Sequence, residues 1–306
     1  MRFTEVTNNI AHISKILYHW RERVGSIAND PKAKPYALDA IIKLKEESLK
    51  RQKLKGKVIY DEKVYQYRID YEPKEKSLTL ILFGKQENVA KVLINLETSK
   101  ALKDIYILSN SFKEINSKIS YQKATFKNSL LESYKCLKNK IKTEYVMFYN
   151  TDNFVKTSGF IDRLTGAASI KTAGVVGAKY VTNDNIIINC GLSPTINRNV
   201  LNGKDDNISL YYCRNVLPYN TYAVSDDLFA INKKKLDEVI DKITDLELSL
   251  GKELLKNGYY NVVRNDVVVI KEAKVNLGNK FVFASYDPFI NCNLDQTNFL
   301  PKTNNT

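Results

Sequence analysis

The sequence is poor in the residues that build metal and disulfide frameworks. Four cysteines are scattered along the 306 residues without a CxxC pair, at Cys136, Cys190, Cys213 and Cys292. This spacing argues against a zinc site or a disulfide framework and predicts free, buried thiols. The two histidines, His12 and His19, both lie near the N-terminus. Any catalytic acid or base is therefore expected to be a carboxylate.

Long apolar runs are also missing. The longest, around residues 78–83 and 267–270, have the length of a strand and fall well short of a membrane span. The first ten residues contain Arg2, Glu5 and two asparagines, so they lack the apolar core of a signal peptide. The sequence therefore predicts a soluble, cytoplasmic protein.

Positive charge is in excess, with 47 lysines and arginines against 34 acidic residues and a net charge of +13. Such an excess suggests an anionic partner, which would be nucleic acid, an acidic membrane surface or a phosphate-bearing substrate. The densest basic stretch, residues 43–57, has the pattern of a solvated helix face. It lacks the interleaved aromatic residues of a nucleic-acid site, which places nucleic acid below the other two.

The chain divides at a charged, proline-containing linker, residues 72–76. Before it, residues 36–54 predict an amphipathic helix and residues 58–71 a pair of short strands. The predicted domains are a helical and extended N-terminal segment at 1–74, a main domain at 75–275 and a tail at 276–306.

After the linker, apolar runs of strand length alternate with amphipathic helices. Strands are predicted at 77–83, 104–108, 145–149 and 173–181, and helices between them at 87–100, 129–142 and 160–171. This alternation predicts an α/β domain with a mostly parallel sheet covered by helices on both faces. Further along, the sequence predicts a strand at 222–231, a helix at 246–257 and one or two strands at 260–270.

Ligands of such sheets bind beyond the carboxyl ends of the strands. The informative residues are therefore those that follow each strand, at 84–86, 109–111 and 150–152.

Four segments resemble bacterial family-2 glycosyltransferases, which assemble cell-surface polysaccharides such as O-antigen. Residues 145–153 are similar to the family's strand that ends in an acidic metal and diphosphate motif. The other three follow in family order, at 174–191, 214–225 and 254–260. The resemblance covers residues 77–271 and implies the GT-A fold of nucleotide-diphospho-sugar transferases.

The N-terminal segment resembles the connector between two tandem glycosyltransferase domains. The similarity lies in residues 12–21, with Gly25-Ser26 and residues 34–37. It implies either the second half of a tandem enzyme, with a partner glycosyltransferase domain, or a relative that kept the connector as its own N-terminus. A helical appendage packed on the core is compatible with both.

The family resemblance implies an inverting transfer from a nucleotide-diphospho-sugar to a saccharide or lipid-linked acceptor. Such a transfer needs a cation or basic groups to neutralise the departing diphosphate, and a carboxylate to take the acceptor's proton. By position in the motif, Asp152 would hold Mg²⁺ or Mn²⁺, with Asn150 beside the diphosphate. Thr151 stands where the family has a first acid. Alternatively, residues 150–153 form only a polar turn.

Two other strand ends would complete the donor site. Ser109 and Asn110 would hydrogen-bond the nucleoside, with Ser109 replacing an acid of the family. Gly84 would allow a close approach of the backbone and Lys85 would meet phosphate. A Gly-Lys pair is also an ordinary turn.

The catalytic base is expected where the late helix begins. Glu247 is the candidate and Asp245 the alternate, while residues 244–247 fit equally well a capping box in which the glutamate bonds back to the N-cap amide. Asp226 and Asp227 fall where the family has small residues near the acceptor. They would bind acceptor hydroxyls or a metal, or only begin a strand.

Departures from the family pattern leave a second interpretation open. Ser109, Thr151 and Ser249 stand where the family has acids, and no histidine occurs near residues 270–272. The alternative is a catalytically silent relative that binds sugar or docks a partner. In the first interpretation, the basic helix at 36–54 would bring the enzyme to anionic lipid at the inner face of the membrane.

Overall fold

A computed structural model describes the chain at residues 5–7, 9–11, 35–62, 64–96, 98–111, 114–115, 119–195, 199–210, 213–272 and 287–290. His12, His19, Cys292 and nearly all of the connector-like segment lie outside the described residues, as does most of the predicted tail. The described residues form two compact units that divide between Glu72 and Pro73. The proposed domain limits of 1–74, 75–275 and 276–306 stay a prediction.

The first unit contains one helix and a β-hairpin, which are α1 (Pro35–Arg51), β1 (Gly56–Asp61) and β2 (Gln66–Tyr71). The predicted helix and strand pair are thus confirmed, although the helix ends at Arg51 and Gly56 opens the first strand. The strands pair antiparallel, with Val58 opposite Ile69.

A carboxylate near the start of the chain is tied to the end of α1. Glu5 accepts hydrogen bonds from Arg51 Nε at 2.8 Å and from Ser48 Oγ at 2.6 Å. These bonds stabilise the ionised carboxylate and lower the pKa of Glu5 to about 2.

The second unit is built on one sheet flanked by helices. Its helices are α2 (Gln86–Asn95), α3 (Leu130–Leu137), α4 (Phe160–Ala168), α5 (Lys233–Val239) and α6 (Leu248–Lys256). Its strands are β3 (Leu78–Phe83), β4 (Leu102–Leu108), β5 (Gln122–Ala124), β6 (Tyr145–Asn150), β7 (Phe154–Val155), β8 (Ala173–Val181), β9 (Ile187–Asn189), β10 (Tyr219–Thr221), β11 (Leu228–Asn232) and β12 (Tyr260–Ile270).

The strand order in the described sheet is β10-β12-β8-β11-β6-β3-β4-β5, with β7 on β12 and β9 on β8. Strands β6, β3, β4 and β5 pair parallel, and so do β8 and β12. Between these groups, β11 runs antiparallel to both neighbours. The six parallel-running strands therefore share one carboxyl edge, where β11 begins.

Apolar side chains on both faces of the sheet explain why the strands are continuous hydrophobic runs. In β3, Leu80 and Leu82 pack in a core with α2 and α4, while Ile81 points into a second core with α3, α5 and α6. The predicted α/β class, with helices on both faces, is confirmed.

One predicted strand is wrong. Residues 222–231 do not form a single strand, because a turn at Asp226 and Asp227 separates β10 from β11. Within that turn, Asp227 N–H donates to Ser225 Oγ at 3.5 Å. The turn brings both acids to the start of β11, at the carboxyl edge.

No helix in the described part of the chain combines the length and the apolar character that a membrane crossing requires.

Candidate functional site

The sheet changes winding direction between β3 and β6. From β3 the chain adds β4 and β5 on one side, then returns to place β6 on the other side of β3. Open α/β sheets bind ligands in the crevice that such a switch point creates at the carboxyl edge. The structure places Gly84 directly after β3 and Asn150 at the end of β6, so this crevice lies between two of the predicted segments.

Asp152 joins these two strand ends by capping α2. Its Oδ1 accepts hydrogen bonds from the backbone N–H of Lys85 and from Asn88 Nδ2, both at 2.8 Å. Lys85 is the N-cap residue of α2, and its own side chain makes no capping bond. The exposed Asp152 carboxylate therefore holds the N-terminus of this helix, where partial positive charge favours an anion.

Thr151 and Gly84 account for the close contact of the two strand ends. The Thr151 hydroxyl is buried and donates to the carbonyl of Phe83 at 3.0 Å. Gly84 has φ +124°, and a Cβ on it would lie 2.8 Å from Thr151 Oγ1 and 3.0 Å from Asp152 Oδ1. Only glycine fits this position without displacing the turn at 150–152.

Replacing Gly84 with alanine is expected to destabilise the protein by about 3 kcal/mol, because overpacking adds to an unfavourable φ. Gly258 offers a matched control, since it has φ +79° but no atom within 4 Å of a built Cβ. The Gly258→Ala variant should lose only about 1–2 kcal/mol. Urea unfolding of both variants measures the difference, and equal losses would contradict the packing described at Gly84.

A second junction links β6 to the turn before β11. Asn150 Nδ2 donates to Asp227 Oδ1 at 2.7 Å, across 77 residues of sequence, and the backbone N–H of Asn150 donates to the Asp227 carbonyl at 2.6 Å. Lys271, the first residue after β12, places its ammonium 2.5 Å from Asp227 Oδ2. The Asp227 carboxylate is buried, and each of its two oxygens has a partner within the protein.

Tyr180 lies beside this ion pair. Its ring centroid is 6.0 Å from Lys271 Nζ, at the outer limit of a cation–π contact. Burial raises the pKa of Tyr180 well above its ordinary value, and the nearby Asp227 carboxylate raises it further. The phenol therefore stays neutral and presents an uncharged surface to Lys271.

Ser109 and Asn110 lie at the end of β4, one strand further along the same edge. The backbone N–H of Ser109 donates to Ala124 at 3.0 Å, while its hydroxyl accepts from the N–H of Ser111 at 3.3 Å. The first bond extends the pairing of β4 with β5, and the second keeps the turn at 109–111 closed. Asn110 is exposed.

The start of α6 separates the roles of the two candidate bases. Asp245 Oδ1 accepts the backbone N–H groups of Glu247 at 2.9 Å and Ser249 at 3.1 Å, so Asp245 supplies the capping bonds. The predicted capping box is wrong, since the backbone N–H of Thr244 donates to Ser249 Oγ rather than to the Glu247 carboxylate. Glu247 Oε1 instead lies 3.4 Å from the backbone nitrogen of Asp226.

Close packing of α6 on the sheet fixes the position of Glu247. A Cβ on Gly251 would lie 2.4 Å from the carbonyl of Tyr222, which shows how near the helix comes to the neighbouring backbone. Buried Asn261 bridges the two by donating to Tyr222 at 2.7 Å and to the carbonyl of Gly251 at 3.0 Å. The Glu247 carboxylate thus reaches the turn at Asp226 and Asp227 from a rigid helix.

The carboxylates at this edge fit a divalent cation poorly. Mg²⁺ prefers near-octahedral oxygen coordination. Both oxygens of Asp227 are bonded to Asn150 and Lys271, Oδ1 of Asp152 caps α2, and the Thr151 hydroxyl faces Phe83. No group of three or more His, Cys, Asp or Glu side chains that could hold a metal ion occurs among the described residues. The Mg²⁺ or Mn²⁺ implied at Asp152 therefore has at most a sparse set of protein ligands.

Lys271 was not among the site residues predicted from the sequence, where residues 270–272 are notable only for lacking a histidine. Its signal was positional, since Lys271 directly follows an eleven-residue strand that ends at the same sheet edge as β3 and β6. Asn88 was also missed, and nothing in the local pattern indicates its bond to Asp152.

Comparisons with known proteins give similarity of structure alone. No protein-family model matches the chain, and no curated protein matches it in sequence. It is similar to the mannosyltransferase PcManGT from Pyrobaculum calidifontis, solved in complex with GDP-Man and Mn²⁺, with 11% identity, 65% of this chain covered and a TM-score of 0.42. It is also similar to GalNAc-T7, solved with UDP, GalNAc and Mn²⁺, with 12% identity, 71% of this chain covered and a TM-score of 0.49.

The chain spans about half the length of these solved proteins, 57% of the first and 47% of the second. At these identities and TM-scores, the likenesses carry no argument about the site.

Proposed function

We propose that the chain is a nucleotide-diphospho-sugar glycosyltransferase that acts on a saccharide or lipid-linked acceptor in surface glycan synthesis. The sequence resemblance to family-2 enzymes and the GT-A fold it implies support this proposal. The observation that carries it is the 2.7 Å bond between Asn150 and Asp227, which joins two predicted site segments at the carboxyl edge. Lys85, Ser109 and Glu247 border the same edge.

In the proposed reaction the acceptor hydroxyl attacks the anomeric carbon of the donor sugar. Glu247 accepts the hydroxyl proton, a glycosidic bond forms with inversion, and the bond from the sugar to the diphosphate oxygen breaks. The nucleoside diphosphate departs with the bonding electrons. Ser109 and Asn110 would contact the nucleoside, and residues 84–85 and 150–152 would line the diphosphate path. The contribution of Asp226 to acceptor binding stays a prediction.

Donor turnover tests this function. A panel of uridine, guanosine, thymidine and cytidine diphospho-sugars is incubated with the protein, and release of nucleoside diphosphate is followed with and without a saccharide acceptor. We expect slow hydrolysis of one donor and faster release with an acceptor. Binding of a donor without any release would favour the silent, sugar-binding relative. Failure of every donor to bind would contradict a nucleotide-sugar site.

We also propose that α1 contacts the inner face of an anionic membrane, where a lipid-linked acceptor is available. Tyr36, Ile41 and Leu44 are exposed on this helix beside Lys43 and Lys45. Apolar side chains next to lysines suit the interface of an anionic bilayer. Sedimentation with phosphatidylglycerol vesicles, but not with phosphatidylcholine vesicles, would support this location; equal sedimentation with both would refute it.

A further inference from the structure

The charge balance at the carboxyl edge differs from that of a metal-binding site. Asp227 is the buried carboxylate at the junction of β6 and β11, and it already has a cationic partner in Lys271 at 2.5 Å. A divalent ion on Asp227 would have to displace that ammonium or lie beside it against like-charge repulsion. The ammonium of Lys271 therefore already pairs with the carboxylate that a metal ion at this position would have to bind.

Lys271 is held at the edge by its backbone as well as by its side chain. Its N–H donates to the carbonyl of Val181 at 2.9 Å, so the residue continues the pairing of β12 with β8 beyond the strand end. The Lys271 side chain is 38% exposed, whereas that of Asp227 is only 11% exposed. The lysine side chain thus reaches solvent at the carboxyl edge, while its counter-ion is almost fully covered.

The ammonium has capacity to bind a ligand. It carries three N–H donors, and Asp227 Oδ2 is its only hydrogen-bond acceptor among the described residues. Phosphate oxygens accept such charge-assisted bonds strongly. Asn150 and the buried surroundings hold Asp227 in place, so Asp227 fixes the lysine without consuming all of its donors.

We propose that Lys271 takes the part that a divalent cation has in the enzymes this sequence resembles. Its ammonium binds the diphosphate of the donor, and the donor binds without Mg²⁺ or Mn²⁺. Asp152 then serves as the cap of α2 rather than as a metal ligand, consistent with the two bonds to its Oδ1. This inference rests on the proposed function, because it names how the same site neutralises its diphosphate.

Calorimetric titration with UDP, GDP, dTDP and CDP, in EDTA and separately in Mn²⁺ or Mg²⁺, tests the inference. We expect one nucleotide to bind in EDTA with nearly the affinity it shows with metal. Lys271→Met should weaken this binding about tenfold or more, the usual effect of losing a charged hydrogen bond. Lys271→Arg should retain most of it. Lys256→Met removes the same charge at the far end of α6 and should change nothing.

Asp152→Asn separates the two roles of that residue, because the amide oxygen can still accept the bonds of the α2 cap. The readout is the ratio of the nucleotide affinities measured with Mn²⁺ and in EDTA. If Asp152 were a metal ligand, the variant would lose the gain in affinity that metal gives to the wild type; the inference expects the ratio to stay near one in both proteins, whatever the affinity itself becomes. Thermal unfolding verifies that each variant is folded.

The outcomes distinguish this inference from the proposed function. Binding that appears only with Mn²⁺ or Mg²⁺ overturns the role of Lys271 and leaves the transferase proposal standing. A folded Lys271→Met variant with unchanged affinity also overturns it and reduces the Lys271–Asp227 pair to a structural contact. Absence of binding under every condition overturns both.

Discussion

Replacing Glu247 with glutamine is expected to lower the rate of sugar transfer about 10²–10⁴-fold, the usual contribution of a general base. Glutamine has almost the same shape, and its amide oxygen can still lie near the backbone nitrogen of Asp226, but it cannot take a proton from the acceptor. The donor should bind as before, because Glu247 lies on the acceptor side of the proposed reaction. Steady-state rates with a saturating acceptor, together with calorimetric donor affinity, measure both effects.

Asp245 provides the matched control for this variant. It lies two residues away and its Oδ1 accepts two backbone N–H groups at the start of α6. Asp245→Ala should therefore destabilise the protein by about 1 kcal/mol through loss of the cap. Asp245→Asn keeps the acceptor oxygen and should leave both stability and rate nearly unchanged. A rate lost in Asp245→Asn and kept in Glu247→Gln would reverse the assignment of the base.

The second large effect is expected from a buried ion pair outside the site. The ammonium of Lys179 lies 2.7 Å from both carboxylate oxygens of Asp206 and 2.8 Å from the carbonyl of Asn215, and the lysine side chain is 5% exposed. Lys179→Met leaves the Asp206 carboxylate without its cation, which should cost about 3–5 kcal/mol. The pair attaches the chain after β9 to strand β8, so this connection should weaken first.

Urea unfolding measures this loss as a lower midpoint with an unchanged slope. The double variant Lys179→Met with Asp206→Asn removes the uncompensated charge and should recover a substantial part of the stability. A single variant that loses less than about 1 kcal/mol would mean that the pair behaves as a surface contact.

The succession of strands and helices could be predicted because the central parallel strands, such as β3, β6 and β8, are buried on both faces. A continuous apolar run of this length, such as β8, strongly favours a buried strand. The predicted limits of β8, 173–181, agree with the structure. The α5 helix was not predicted; it is only seven residues long and begins with three lysines. Its local signal was Asn232, whose side chain caps the helix.

Helix ends were the less predictable part of the fold. The predicted helix at 87–100 ends at Asn95, and the backbone beyond it finds a partner far away in sequence. Asp162 accepts hydrogen bonds from Ser99 Oγ at 2.6 Å and from the N–H of Ala101 at 3.1 Å. The backbone N–H of Ala101 thus finds an acceptor in a carboxylate about sixty residues away, rather than in a carbonyl of a continued helix. No local sequence pattern reveals this partner.

The same limit applies to the site. Residues that follow parallel strands necessarily meet at one edge, so the proximity of the turns after β3, β4 and β6 was predictable. The partners of the charged groups were not, because Asp152 with α2 and Asp227 with Lys271 are contacts between distant segments. These partners decide the chemistry, since they determine which carboxylates are engaged and where the cation lies.

Amide hydrogen exchange with and without the nucleotide-sugar that binds most tightly tests the central claim most directly. We predict that the nucleotide-sugar slows exchange in the segments at 84–88, 109–111, 150–152 and 226–228, and that it does so in EDTA as well. Little change is expected in β1, β2 or α3. Slower exchange confined to other segments, or no change with any nucleotide-sugar, would contradict a donor site at the carboxyl edge between β3 and β6.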